Sequence, residues 1–406
     1  NQKYKNPIKV DFFAVDFFFL RRGTFLRGGI QTQFMVRNYN FTARPLYQAS
    51  EKQDNRRNFI IAALTLATHV QDTAMTSYNL YGVGAALVDT EIEASDQDLA
   101  QWQVDKGLMT LVDETRQQEL MTLMSSHLVA SKRASGGSCA NSIIAASYFG
   151  ASTFYSCKVA DDDNGRFYLN DLKAAGVDYP VERELQAGIT GKCLVLITPD
   201  AERSMNTFLG ISETVSSAEL HSDAIAASEY AYIEGYLVTS ETGRAAAIDL
   251  RQQAEQANVK TAISLSDPAM VQFFKKGLEE MIGEGVDLLF CNKDEALGFT
   301  GTDSIEAAAE ALKQTAKTFA ITLGAEGALI FDGTDFFTTA PYNVTAIDSN
   351  GAGDMFAGAF LFAITNGYSF QQASDLASKA SSVVVSQYGP RLKPEQHADI
   401  LKEIFA

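Results

Sequence analysis

The sequence predicts an α/β protein: a three-layer α/β/α domain with a mostly parallel central sheet and a small second β-sheet covering it as a lid. Two observations lead there. Strand-like and helical runs alternate from Met75 to the C-terminus, the pattern left by a parallel sheet whose crossovers are helices. Two of the helices are also opened by glycine-rich turns, the kind of turn at which α/β folds hold anions.

The elements follow in order. Asn79-Leu80-Tyr81-Gly82-Val83-Gly84 reads as a first core strand ending in a glycine turn. Thr90–Leu99, Leu108–Asp113 and Leu194–Gly210 contain strand-like pieces, and Glu114–Ser125 has a helical pattern. These pieces are assigned to the lid, in segments of roughly 90–135 and 194–215. Strands are expected at Cys193–Thr198, Tyr230–Val238, Thr261–Leu265, Val286–Asn292, Thr318–Leu323 and Ala328–Phe331. Helices are expected at Ser240–Gln256, Met270–Gly283, Ile305–Thr315 and Asp354–Asn366. No internal repeat or low-complexity tract interrupts the series.

Composition narrows the class. A formal net charge of −17 argues against a general nucleic-acid binder, which gains affinity by neutralising phosphates. The four cysteines (Cys139, Cys157, Cys193, Cys291) are scattered, with no Cys-x-x-Cys pair and no nearby His cluster. That usage fits reduced thiols in a cytoplasmic protein. No apolar run approaches the roughly 18 residues of a membrane-spanning helix.

Residues 1–74 differ in character. They hold 11 Lys/Arg against 5 Asp/Glu, whereas the remainder holds 22 against 45. Aromatic bursts such as Phe17-Phe18-Phe19 keep no steady period. A targeting segment, an accessory domain and translated upstream sequence are three competing readings. The preferred one takes Met75 as the natural start, with 1–74 a disordered extension and 75–406 the working domain.

The strongest local signal is Asp348-Ser349-Asn350-Gly351-Ala352-Gly353-Asp354, followed by an apolar run in which Phe356, Phe360 and Ile364 recur at helical spacing. A glycine turn feeding a helix N-terminus presents backbone N–H groups and the positive end of the helix dipole to an anion. Such a nest suits charge that accumulates during phosphoryl transfer. Asp354 at the helix start is placed to take a proton from an attacking hydroxyl; as a lone motif, it reads more readily as a helix cap. A second turn, Ser135-Gly136-Gly137-Ser138-Cys139-Ala140-Asn141, opens the run Ile143–Phe149. It is either a tight strand-to-helix turn or a site where Asn141 bonds hydroxyls. There is no Gly-x-x-x-x-Gly-Lys-[Ser/Thr], so a P-loop is excluded. Gly82-Val83-Gly84-Ala85-Ala86-Leu87 imitates a dinucleotide fingerprint but has Leu87 where Gly or Ala should stand. It leaves a dinucleotide-dependent oxidoreductase as the rival class.

Together the two glycine motifs resemble the N- and C-terminal signatures of the PfkB/ribokinase family of carbohydrate and nucleoside kinases, over about Tyr78 to Leu392. Ser349 replaces the commoner Thr and keeps the hydroxyl. The resemblance implies a ribokinase-like fold and phosphoryl transfer from ATP with Mg²⁺, with a monovalent cation such as K⁺ as a family option. It implies Asp354 as base, with Gly351, Ala352 and Gly353 as the anion hole and Arg203 as a lid arginine near the phosphates. Asp89, Gly136, Gly137 and Asn141 would hold the acceptor. Asn292, Thr322, Gly324, Gly327 and Asp348 would line the ATP side, and Glu295 of Asn292-Lys293-Asp294-Glu295 would serve Mg²⁺ largely through water.

The 47 positions from Asp89 to Gly136 resemble the longer lid of adenosine kinases, as do Asn350 and Leu87-Val88-Asp89. Adenosine is thus the first expected acceptor, ahead of other nucleosides and of free sugars such as ribose, fructose or 2-keto-3-deoxygluconate. Ala85 stands where many members have Asn, which removes a polar contact from the acceptor pocket. Partners are small molecules only, with neither nucleic acid nor membrane, and the assembly is a monomer or a homodimer.

Overall fold

A computed structural model of the chain describes residues 77–125, 133–180 and 184–405. The reading of 1–74 as an extension lies outside the described residues.

The central sheet has eight strands: β1 (Tyr78–Val83), β5 (Thr153–Ser156), β8 (Ser228–Glu234), β9 (Lys260–Ser264), β10 (Val286–Asn292), β11 (Ala316–Thr322), β12 (Ala328–Phe331) and β13 (Phe336–Thr339). Their spatial order is β13-β12-β11-β10-β9-β8-β1-β5. Pairing is parallel from β5 through β11 and antiparallel for β12 and β13. Side chains alternate between two cores, as the period of a strand requires. Leu80, Tyr230, Tyr232, Leu288 and Phe290 enter one core; Tyr81, Ala231, Ile233, Leu289 and Cys291 enter the other. The first is covered by helices Ser138–Phe149, Ala352–Thr365 and Phe370–Val384, and the second by Glu241–Ala257, Pro268–Ile282 and Lys293–Thr300. The sheet with both its faces covered is the three-layer fold that the alternation predicts.

The second sheet has five strands in the order β3-β7-β6-β2-β4: β2 (Leu87–Glu93), β3 (Met109–Leu111), β4 (Arg133–Gly136), β6 (Gly191–Ile197) and β7 (Arg203–Phe208). Its outer face has a small core of its own, in which Ile92, Leu194 and Leu196 meet Leu99, Trp102, Leu120 and Met124.

One lid segment and one expected strand turn helical part-way. Thr90–Leu99 is strand only to Glu93, because Ser95 and Asp98 form a reciprocal capping box that starts the helix Asp96–Trp102. Tyr230–Val238 is strand only to Glu234 and then turns into a 3-10 segment, Gly235–Thr239. A Cβ at Gly235 would stand 2.6 Å from Ser264 O, so the chain bends there against the end of β9.

One helix pair positions the site. Met355 to Phe362 in the helix Ala352–Thr365 are all buried. Gly358 lets this helix approach Ser138–Phe149 so closely that a Cβ would lie 2.3 Å from Ser142 O. Phe362 stacks on Phe149 across the pair at 5.5 Å, and Phe356 and Phe360 pack edge-on against Phe290 of β10. Each buried Phe contributes about 1.5–3 kcal/mol, which holds the pair on the sheet with both N-termini side by side. Among the described residues no helix is long and apolar enough to cross a membrane.

Candidate active site

The C-terminal ends of the parallel strands open onto one cavity of about 290 Å³, roofed by the second sheet. The strand order reverses at β1, with β5 on one side and β8 on the other, and crevices at such switch points are where open α/β sheets bind ligands.

Asp354 stands where the two helix N-termini meet. Ser138 Oγ donates to Asp354 Oδ1 at 2.7 Å and Asn141 Nδ2 donates to Oδ2 at 2.9 Å. Burial pushes the Asp354 carboxyl above its ordinary pKa, while the bonds from Asn141 and Ser138 and the charge of Arg203 pull it back. Both carboxylate oxygens are oriented by neutral donors, a carboxylate fixed in place yet able to accept a proton. No side chain caps the helix Ala352–Thr365, so its first turn faces the cavity with backbone amides. Gly351 starts that turn at φ +74°, and a Cβ on it would collide with Pro390 O at 2.3 Å. Gly353 meets nothing within 4 Å.

Around this centre the wall brings together Asp89, Gly137, Asn141, Arg203, Asn292, Glu295, Thr322, Gly324, Gly351, Ala352, Gly353 and Asp354. Three expected site residues stand behind it. Gly136 lies against the Asp89 carboxylate, leaving no room for a Cβ. Gly327, at φ +94°, packs on Thr339 O in the turn from β11 to β12. Asp348 is fully buried, and its oxygens accept N–H bonds from Asn350 at 2.8 Å and Gly389 at 2.9 Å. It braces the glycine turn rather than facing the cavity.

Charge is distributed unevenly over the wall. Burial, helped by Glu91, pushes Asp89 up to about 8. Burial likewise pushes Glu295 up to about 8 against the pull of its bond with Asn292. Asn292 and Glu295 form a capping box: Asn292 N donates to Glu295 Oε2 at 2.9 Å, and Glu295 N donates to Asn292 Oδ1 at 2.8 Å. Arg203 comes down from the lid strand β7, its guanidinium kept charged despite burial by Tyr236, Asp267 and Asp354. Arg203 Nε, Asn141 Oδ1 and Asn350 Nδ2 are buried without a partner, a costly state in a sealed core and a natural one in a wall awaiting a polar ligand. Among the described residues no group of three or more His, Cys, Asp or Glu is placed to hold a metal.

Sequence reasoning missed two residues that shape this site. Glu234, at the end of β8, accepts the Ala85 amide at 2.6 Å and the Cys139 amide at 2.8 Å, tying the first turn to the second glycine turn. Its signal was a lone carboxylate inside the apolar run Tyr230–Val238. Ser138 was legible only as part of a turn, because its partner is 216 positions away. The imitation of a dinucleotide fingerprint also resolves. After Gly84 the chain enters strand β2, not a helix, so there is no helix N-terminus to hold a pyrophosphate, and Glu234 already takes the Ala85 amide.

Comparison with known proteins gives the same answer. The model of the pfkB family carbohydrate kinases matches residues 111–397. The chain belongs to that family. The kinase is 27% identical over 346 residues to the adenosine kinase of Schizophyllum commune, covering 79% of this chain and 98% of that one. Its fold superposes on the adenosine kinase of Sinorhizobium meliloti with a TM-score of 0.75 at 31% identity, over 80% of this chain and 99% of that one. A probable sugar kinase from Rhizobium etli superposes with a TM-score of 0.76 at 30% identity, over 81% and 100%. Membership makes the protein a kinase of small carbohydrate or nucleoside acceptors, working with ATP and Mg²⁺ in the ribokinase-like fold.

Proposed function

We propose that the kinase moves the γ-phosphoryl group of ATP to a primary hydroxyl of a nucleoside, with adenosine the preferred acceptor. The observation that carries this reading is the contrast between the two sides of the acceptor pocket. Asn141 and Asp354 form a polar floor suited to sugar hydroxyls, joined by Asp89 from the roof strand β2, while Leu87, Met109, Leu111, Met205 and Leu209 make the rest of the roof apolar. A free sugar has nothing to set against such a roof; the flat base of a nucleoside has. The similarity to two adenosine kinases supports the same choice.

On this reading Asp354 accepts the proton of the acceptor hydroxyl as the new O–P bond forms, and Ser138 and Asn141 keep its oxygens aimed at that hydroxyl. The amides of Gly351, Ala352 and Gly353 stabilise charge on the transferring group. Arg203 neutralises phosphate charge once the lid is down, and Asn292, Thr322 and Gly324 line the nucleotide side. Bound Mg²⁺ would supply further charge neutralisation at the phosphates, with Glu295 as the nearby carboxylate. Lid closure keeps water from competing for the phosphoryl group. The free thiols Cys139, Cys157, Cys193 and Cys291 support a reducing, cytoplasmic setting.

One observation favours a second reading. Ala85 lines the pocket with a methyl group and its amide is taken by Glu234, which leaves that wall without a polar side chain. A free sugar with fewer hydroxyls to satisfy there is the alternative acceptor, in keeping with the similarity to a probable sugar kinase.

The test is ADP release from ATP and Mg²⁺ across adenosine, inosine, guanosine, ribose, fructose and 2-keto-3-deoxygluconate. Turnover led by adenosine is expected. Turnover confined to the free sugars would replace the nucleoside reading with the second one.

A further inference from the structure

The segment after the helix Phe370–Val384 grips both glycine turns. Gly389 N donates to Asp348 Oδ2 at 2.9 Å, and the backbone of Pro390 packs on Gly351. The next residue, Arg391, points to the other turn. Its Nη2 donates to Ser135 Oγ at 3.1 Å and to Asp171 Oδ2 at 2.9 Å, and Ser135 Oγ donates to the same carboxylate. Ser135 is fully buried in β4; three residues further on, Ser138 holds Asp354. The Arg391 side chain is 15% exposed and that of Asp171 31%, so this pair is sheltered from the solvent that makes surface ion pairs nearly worthless.

We infer that Arg391 is a positioning residue for phosphoryl transfer: through Ser135 and Asp171 it fixes the turn bearing Ser138 and Asn141 in register with the turn bearing Gly351–Asp354. The inference rests on Asp354 as the base and not on which acceptor is used. The two turns are joined on one side by the helix pair behind them. Without Arg391 the described hydrogen bonds left between the two turns are those of Ser138 and Asn141 to Asp354 itself, so slack falls on the reacting carboxylate. Displacements near 1 Å at a reacting group cost on the order of 100-fold in rate. Arg391 also lies close enough to Asp89 to oppose the upward push of burial on that carboxyl, so the same guanidinium bears on the acceptor side of the pocket.

The experiment compares the full chain with Arg391→Ala, Arg391→Lys and Asp171→Asn by steady-state kinetics and amide hydrogen exchange. Arg391→Ala is expected to lower kcat by about 10–100-fold while the KM for ATP stays within about twofold. Arg391→Lys should recover part of the loss, because the ammonium keeps the charge and the donors but sits on a flexible stem without the planar fork. Asp171→Asn, outside the cavity, should move kcat the same way by less. Exchange should quicken across both turns, 134–143 and 348–354, and stay unchanged in Glu241–Ala257. Exchange needs no acceptor, so a wrong choice of acceptor would leave this readout standing. Unchanged exchange in both turns, or a kcat within twofold of the parent for Asp171→Asn and Arg391→Ala alike, would overturn the inference. If Arg391→Ala does not fold, Asp171→Asn and Arg391→Lys decide it on the same readouts.

Discussion

Asn141 Nδ2 lies 2.9 Å from Asp354 Oδ2, a bond that joins two glycine turns separated by 213 positions of sequence. It turns two ordinary helix starts into one site, and the predictions below follow from that geometry.

Asp354→Asn should lower kcat by about 100- to 10,000-fold, the usual worth of a general base. The substitution keeps the shape of the side chain, and the Ser138 hydroxyl can reverse its proton, so folding and ATP binding should survive. Calorimetric titration with ATP alongside turnover checks this. A variant retaining normal kcat would remove Asp354 from its role.

The two glycines of the anion turn should respond differently to alanine. Gly351→Ala combines φ +74° with a Cβ 2.3 Å from Pro390 O, so the thermal midpoint should fall by several degrees. Gly353→Ala meets no atom within 4 Å and should fold normally. Its methyl group would stand in the cavity, so the KM for ATP should rise instead. Melting curves and kinetics on the pair separate the two effects.

Glu234→Ala should destabilise the protein strongly without any loss of a reacting group. Two buried amides, Ala85 N and Cys139 N, would lose their acceptor at about 1–3 kcal/mol each. Glu234→Gln keeps one acceptor oxygen and should cost less. Urea unfolding of both variants measures the difference; equal midpoints to the parent would show that the amides find other partners.

Stability without ligands should fall as pH rises from 6.5 to 8. Burial pushes Glu234 up to about 7 and Asp89 up to about 8, whereas both ionise near 4 in the unfolded chain. In this window the folded state therefore binds more protons than the unfolded one, and the contribution is lost as pH passes through the folded values. His397, pushed down to about 4 by burial, works the other way near pH 6.5, where its unfolded imidazole is still about half protonated, but this opposing slope fades as pH rises and is outweighed by the two carboxyls. Thermal midpoints in matched buffers test the slope, which Glu234→Gln should flatten; a midpoint that rises across the window would contradict the assignment.

Much of the fold was legible because each core strand and helix carries its own period and punctuation. Val286–Asn292 and Ala328–Phe331 matched residue for residue. Asp354 and its glycine turn were legible for the same reason, being contiguous. What escaped depends on contacts across the fold. Nothing local in Tyr230–Val238 says that the strand stops at Glu234; the neighbouring end of β9 decides that. Asp348 looked like a ligand residue within its motif, yet it is bound by Gly389 from another part of the chain. Arg391 carried no motif at all, and only the tertiary structure brings it to Ser135.

The glycine contacts at the base of the lid have a mechanical consequence. The chain crosses between the two sheets at Ala85–Ala86, Gly136–Gly137, Ile189–Gly191 and Leu209–Gly210. A Cβ on Gly137 would strike Ala85 O at 2.2 Å, one on Gly191 would strike Leu209 O at 2.7 Å and Ala86 O at 2.8 Å, and one on Gly210 would strike Ile189 O at 2.2 Å. The four crossings are therefore stacked with backbone against backbone. Crossings packed this closely leave no room for a side chain, so backbone contact sets where the roof stands over the floor. The roof's span and outline can then change through insertions at the far rim while the catalytic floor beneath keeps its dimensions.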